Sequence, residues 1–339
     1  MTRASSMNEV AQVAGVSAQT VSRVLSDHPH VNAATRAKVL AAVEQTGYRR
    51  NRLARALVTG RSRTLGVITH ETDHYSTSAI LLGAQTAART QGYFVSTATT
   101  SSLSAPDVER AVERLLDQGV DGLLVAVPLR EDASLGDLTR GLPTVVVDGM
   151  RSSATEVVAI DQIEAGRLAT EHLLELGHET VWHIAGPESW NDAAGRTAGW
   201  RTALEEAGRT VPPVLYGDWS PASGFRNGAL VGRMLEVTAL FVASDEMAFG
   251  AIRALVELGR SVPQDVSVVG MDDIALAAYA APPLTTIRQP FHDMGGRAVE
   301  HLLALLADPG TVHEPEVVHP ELVVRQSTTQ APDRPGTAS

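Results

Sequence analysis

Apolar residues between Val10 and Leu25 (Val10, Val13, Ala14, Val16, Val21, Leu25) recur at helical spacing, broken only at Gly15. The pattern predicts a short helix over Val10–Ala14 and a second over Ala18–Leu25. Gly15-Val16-Ser17 supplies the turn, and the Ser17 hydroxyl can accept from the first free N–H groups of the second helix. Two short helices joined in this way form a helix-turn-helix, whose second helix enters the major groove of DNA. On that helix Val21, Val24 and Leu25 face inward, while Ala18, Gln19, Ser22 and Arg23 face outward. Gln can pair with adenine and Arg with guanine, so the outer face has the chemistry of base readout. A third helix is predicted over Ala33–Thr46, capped by Asn32 and stopped by Gly47, with Val39, Leu40 and Val43 closing a small core.

From residue 64 the pattern changes to continuous Val/Ile/Leu runs separated by amphipathic stretches. Strands are predicted at Thr64–Thr69, Tyr93–Ala98, Gly122–Val127, Thr144–Asp148, Val181–Ala185, Leu240–Ala243, Val266–Gly270 and Leu322–Val324. Helices are predicted at Leu81–Gln91, Asp107–Gln118, Gln162–Leu176, Arg196–Ala207, Ala222–Leu235 and Met247–Leu258, with a last one through Leu302–Leu306. Such alternation argues for parallel sheets covered on both faces, and the length suits two of them. The fold class is therefore α/β, with an all-α helix-turn-helix head.

Charge sharpens the division. Residues 1–63 hold ten Arg or Lys against three acids, +7, so with a net charge of −11 the remainder carries −18. A basic head on an acidic body confines phosphate binding to one end. The chain has no cysteine, which excludes disulfides and thiolate sites. Lys38 is its one lysine, which excludes a P-loop or a Schiff base in the body. With no run of 18 apolar residues and no signal-peptide h-region, the protein is expected to be cytoplasmic, at the nucleoid, with no membrane partner.

In open parallel sheets, ligands bind beyond the carboxyl ends of the strands. That rule selects His70–Ser76, Asp148, Trp190–Arg196, Ser244-Asp245 and Met271–Asp273. Carboxylates and Arg that grip hydroxyls, with indoles that stack on a pyranose, suit a carbohydrate. His70-Glu71-Thr72-Asp73-His74 matches H-E-x-x-H literally, but it follows a strand rather than lying on a helix and has no evident third ligand. No metal, cofactor or catalytic residue is expected, and the chain is read as not an enzyme.

The run Ala11–Gly15–Val16–Ser17–Thr20–Val21–Ser22–Arg23–Val24 resembles the start of a lactose-repressor-family transcription factor. Leu176-Gly177-His178, Ile184-Ala185-Gly186-Pro187, Ser244-Asp245, Val269-Gly270-Met271-Asp272-Asp273 and Pro283-Leu284-Thr285-Thr286-Ile287 resemble the same family, so the likeness runs from about residue 7 to 328. It implies a periplasmic-binding-protein-like body of two Rossmann-like subdomains, with crossings near 161, 289 and 321. It implies five segments: a head over 1–49, a hinge helix and linker over 50–63, an N-terminal effector subdomain (64–161 plus 290–321), a C-terminal one (162–289 plus 322–328) and a disordered tail (329–339). DNA contacts are implied at Ser17, Ala18, Gln19, Thr20, Ser22, Arg23, His30 and Thr35, and at Asn51, Ala54 and Leu57 of the hinge, where Leu57 would wedge into the minor groove. Arg50 stands where the family usually has Pro, and Ala18 is small where relatives often place a larger base-reading side chain.

Effector contacts are implied at Asp148, Asn191, Asp192, Arg196, Trp219 and Asp272, with Gln289 and Phe291 at cleft and crossover positions. Trp190 adds an indole, and Ser244 stands where the lactose repressor has asparagine. The runs Gly217–Ser220, Ser223–Phe225 and Ala198–Trp200 lie close to that repressor. Its leucine-heptad tail is not seen, so a homodimer is expected. The function implied is repression of a carbohydrate-utilisation operon at a pseudo-palindromic operator, released by a sugar, a galactoside or related oligosaccharide. The alternative is a corepressor-activated, purine-type regulator.

Overall fold

A computed structural model describes residues 5–26, 28–48, 60–70, 74–102, 104–127, 139–147, 156–308 and 315–332. Contacts divide the chain into a unit ending at Ser62 and a unit starting at Arg63.

The first unit contains α1 (Met7–Ala14), α2 (Ala18–Leu25) and α3 (Ala33–Thr46). Helix α1 starts three residues before the apolar pattern does. Its start is fixed by a capping box, in which Ser6 Oγ accepts from the Glu9 N–H and Glu9 Oε2 from the Ser6 N–H. Gly15 ends it at φ +64°. Ser17 Oγ accepts from the Thr20 N–H at 3.1 Å, and Asn32 Oδ1 from the Thr35 N–H at 2.7 Å, capping α2 and α3. Val10, Ala11, Val21, Val24, Val39 and Ala42 form the core. Leu40, expected there, is 51% exposed, because Ala42 and not Leu40 falls on the inner face with Val39.

The second unit contains two six-stranded sheets. The strands are β1 (Thr64–His70), β2 (Phe94–Thr100), β3 (Gly122–Ala126), β4 (Thr144–Val147), β5 (Glu156–Ile160), β6 (Trp182–Ala185), β7 (Leu215–Tyr216), β8 (Ala239–Val242), β9 (Ser267–Asp272), β10 (Thr285–Arg288), β11 (Glu316–Val318) and β12 (Glu321–Val323). The first sheet has the order β11-β5-β4-β3-β1-β2, and the second β12-β10-β9-β8-β6-β7. All pairings are parallel except β10 with β12. The chain therefore passes between sheets after β5, after β10 and between β11 and β12.

The helices are α4 (Tyr75–Thr90), α5 (Ala105–Asp117), α6 (Gln162–Glu175), α7 (Asn191–Glu206), α8 (Pro221–Val231), α9 (Asp245–Glu257) and α10 (Phe291–Ala307), with a 3-10 turn at Ala275–Tyr279. Cores fill both faces of each sheet, as the apolar strands require. We call the two halves the first and second lobes. In each lobe a pair of helices packs backbone to backbone. A Cβ on Gly83 of α4 would lie 1.9 Å from the His292 carbonyl of α10, and one on Gly199 of α7 1.9 Å from the Ile163 carbonyl of α6. Only glycine permits these approaches.

Several boundaries differ from the apolar pattern. Helix α4 begins at Tyr75 rather than Leu81, and α7 at Asn191 rather than Arg196. Their first turns are polar and border the cleft described below, so they carry no apolar periodicity. Helix α8 stops at Val231 rather than Leu235, which is 81% exposed. Strands β5, β7, β10 and β11 are five residues or fewer and gave no separate signal. The tail from 329 is fixed at its start. Thr329 exchanges hydrogen bonds with Ser267 Oγ, and the Ala331 N–H donates to the Leu176 carbonyl at 2.8 Å. Among the described residues no helix is long and apolar enough to cross a membrane.

Candidate functional site

In the first unit, α2 presents one face outward. Val21 and Val24 are buried, while Gln19 and Arg23 are exposed. Ser17 and His30 are also exposed, and Thr20, Ser22 and Thr35 are half-buried. The hydroxyls of Ser17 and Thr20 lie 2.9 Å apart at the start of α2. Ala18 packs against the core, so it presents little side chain outward. The predicted hinge contacts Asn51, Ala54 and Leu57 lie outside the described residues.

In the second unit, a cleft opens between the lobes, bordered by His74, Tyr75, Ser76, Trp190, Asp192, Arg196, Trp219, Ser244, Glu246, Asp272 and Phe291. The structure thus brings together Trp190, Asp192, Arg196, Trp219, Ser244, Asp272 and Phe291, all singled out in the sequence. Asn191 opens α7 beside them but does not line the cleft, and Asp148 lies outside the described residues. Glu246 had given no signal; it sits on the first turn of α9, two residues beyond Ser244.

The floor is a buried polar chain. Arg196 Nε donates to Gln162 Oε1 at 2.8 Å, Nη1 to the Ala243 carbonyl at 2.6 Å and Nη2 to Gln289 Oε1 at 3.4 Å. Gln162 Nε2 donates to Gln289 Oε1 at 3.0 Å, and Gln289 Nε2 to Asp272 Oδ1 at 2.6 Å. Asp192 Oδ2 lies 3.9 Å from Arg196. Gln289, predicted to contact ligand, therefore stands behind Arg196 and Asp272. Gln162, read in the sequence only as a helix start, follows the first crossing and is Gln289's partner.

The Arg196 guanidinium also lies over the Trp219 ring, 5.2 Å from its centroid. Trp219 is only 7% exposed, and its Nε1–H has no hydrogen-bond partner among the described residues. Trp219 (φ +69°) and Asp272 (φ +113°) hold left-handed backbone conformations, which are strained for such residues and concentrate at binding sites. Burial pushes the Asp272 carboxyl well above the usual range, and the Arg196 charge only partly opposes this.

Two buried groups stand near the site without lining it. Asp245, fully buried, accepts from Thr286 Oγ1 at 2.6 Å and the Ile274 N–H at 2.9 Å; burial raises its carboxyl to about 7 against those bonds. His183 stacks on Phe241 with centroids 4.5 Å apart, and burial lowers it to about 3. Asp272 and its neighbour serve different partners, since Asp273 binds Arg288 at 2.8 Å and Arg325 at 2.5 Å. In the H-E-x-x-H stretch, His70 ends β1 and His74 immediately precedes α4, so the two do not share a helical face. Glu71, Thr72 and Asp73 lie outside the described residues.

Residues 6–51 match the bacterial regulatory proteins of the lacI family, and residues 170–328 a periplasmic binding protein-like domain. The lactose operon repressor of Escherichia coli K12 is 34% identical over 330 residues, covering 96% of this chain and 91% of the repressor. The chain belongs to the lacI family. A second lacI-family relative, the HTH-type transcriptional repressor PurR of Haemophilus influenzae, is 34% identical over 95% of this chain and 98% of its own. The crystal structure of the lac repressor dimer bound to operator and the anti-inducer ONPF superimposes with a TM-score of 0.90, covering 96% of this chain and all of that one. The lacI-family assignment makes this a DNA-binding transcriptional repressor and not an enzyme.

Proposed function

We propose that the protein represses a carbohydrate-utilisation operon as a homodimer, and that an uncharged sugar in the cleft, a galactoside or related oligosaccharide, releases it from DNA. The observation that carries this reading is Trp219, a buried indole whose Nε1–H has no partner among the described residues, in a cleft rimmed by carboxylates. A buried donor left unpaired costs about 1–3 kcal/mol, and a sugar oxygen would relieve it. Among the described lining residues the acids Asp192, Glu246 and Asp272 stand against one arginine, Arg196, which favours a ligand rich in hydroxyl donors over a phosphate. Arg196 is already engaged at all three of its nitrogens, which further disfavours an anion.

Two heads would read a pseudo-palindrome through Gln19 and Arg23, with Ser17, Thr20, Ser22, His30 and Thr35 supporting α2 on the backbone. Leu57 would wedge into the minor groove beside Asn51 and Ala54. Sugar and operator would then oppose each other by the same factor in both directions. The similarity to PurR keeps a purine corepressor as the second reading.

The test is tryptophan fluorescence with galactosides, glucosides, pentosides and purines, followed by release of an operator selected from random duplexes. A sugar that saturates and releases DNA supports the reading. A purine that saturates and tightens DNA binding replaces it. Leu57→Ala is expected to weaken operator binding while sugar affinity stays unchanged.

A further inference from the structure

We propose that Trp190 is the specificity-determining residue for a second sugar ring, so that the effector is a glycoside of at least two units. The inference rests on the sugar reading above and deepens it.

Trp190 immediately precedes α7 and is half-buried at the cleft, whereas Trp219 lies deeper at 7% exposure. The two indoles follow one another with centroids 5.8 Å apart. A ligand whose first ring meets Trp219 therefore offers its next unit to Trp190. From the opposite lobe His70 and His74 approach Trp190, each with its centroid 6.2 Å away. The three neighbours meet the Trp190 ring at 62°, 76° and 69°, so none of them stacks flat upon it. No flat partner among these three competes with a pyranose, which packs its apolar face parallel to an indole ring. The His70 ring is itself fixed, with Nδ1 2.9 Å from the Thr100 carbonyl. A second sugar unit packed on Trp190 lies where the two lobes touch, so its binding acts directly on the seam between them.

The polar floor needs no second ring. Arg196 lies over the Trp219 ring, and Gln289 links it to Asp272, so the polar groups that would hold one sugar unit gather about Trp219. The division of labour is therefore between the floor, which recognises a hydroxylated ring, and Trp190, which selects for chain length.

Isothermal calorimetry of the full chain would measure methyl β-D-galactopyranoside against lactose, and methyl β-D-glucopyranoside against cellobiose, with Trp190→Ala and Trp190→Phe. In whichever series binds, the wild-type protein is expected to favour the disaccharide by ten-fold or more. Trp190→Ala is expected to remove most of that preference, lowering disaccharide affinity at least ten-fold more than one-ring affinity. Trp190→Phe, which keeps an aromatic face and the packing, is expected to retain most of it. Equal losses for both ligands, or a preference that survives Trp190→Ala, overturn the role of Trp190 and leave the sugar reading intact. A wild-type protein that binds all four sugars too weakly to measure overturns both.

Discussion

The first lobe meets the cleft with His74, Tyr75 and Ser76 from the start of α4 and Phe291 from the start of α10; the second lobe meets it with Trp190, Asp192, Arg196, Trp219, Ser244, Glu246 and Asp272. The two share a doubly wound plan and a glycine-mediated helix contact, yet among the described lining residues every carboxylate and the one arginine lie on the second. A charged group can be buried only where its partners are already in place. The second lobe meets that condition by itself, because Arg196, Gln162, Ala243, Gln289 and Asp272 satisfy one another before any ligand arrives. The first lobe, bringing an imidazole, a phenyl ring, a phenol and a hydroxyl, needs no such preparation. Duplicated architecture has thus been divided into a recognising half and a covering half.

Arg196→Ala should break this arrangement most severely. It leaves Gln162 Oε1 and the Ala243 carbonyl without the guanidinium donor, and each buried acceptor left unsatisfied costs about 1–3 kcal/mol. Urea denaturation should show that loss, and sugar binding should fall at least 100-fold. Next comes the pH dependence of the second lobe. The folded Asp245 carboxyl titrates near 7 while the unfolded one titrates near its ordinary value, so between these limits the folded state holds the extra proton. Its contribution is full at low pH and is lost as pH rises toward 7, amounting to about 4 kcal/mol at most. The stability difference between the wild-type protein and Asp245→Asn should therefore shift in favour of the variant from pH 4 to pH 7. A flat difference would mean the carboxyl is not the group titrating.

Smaller effects sharpen the contrast. Gly83→Ala and Gly199→Ala should each destabilise by about 1–3 kcal/mol through overpacking, but only Gly199→Ala, on the helix that carries Arg196, should also weaken sugar binding. Tyr75→Phe should change sugar affinity less than three-fold by calorimetry. If it matched Arg196→Ala, the first lobe would be recognising and not covering.

How much of this was legible depended on distance along the chain. The head was readable almost throughout, because its caps bind three residues away and its turn is local. The cleft's outline was readable from strand ends and from the resemblance, which together gave Trp190, Arg196, Trp219 and Asp272. Gln162 was not, since its partners are 34 and 127 residues distant and a lone glutamine at a helix start carries no pattern. Leu40 misled because an apolar residue next to the buried Val39 need not share its face. The early starts of α4 and α7 were hidden because polar residues there serve the cleft rather than the core.

The amide pair Gln162 and Gln289 has one more consequence. Gln162 begins the segment after the first crossing and Gln289 ends the segment before the second, so the joints on which the lobes turn are tied into the floor of the cleft. Lever and fulcrum are the same few side chains. Any change of lobe angle, whatever drives it, alters the geometry offered to a sugar at Arg196 and Asp272, and any sugar that redraws those bonds pulls on the joints, without a relay through the rest of the protein.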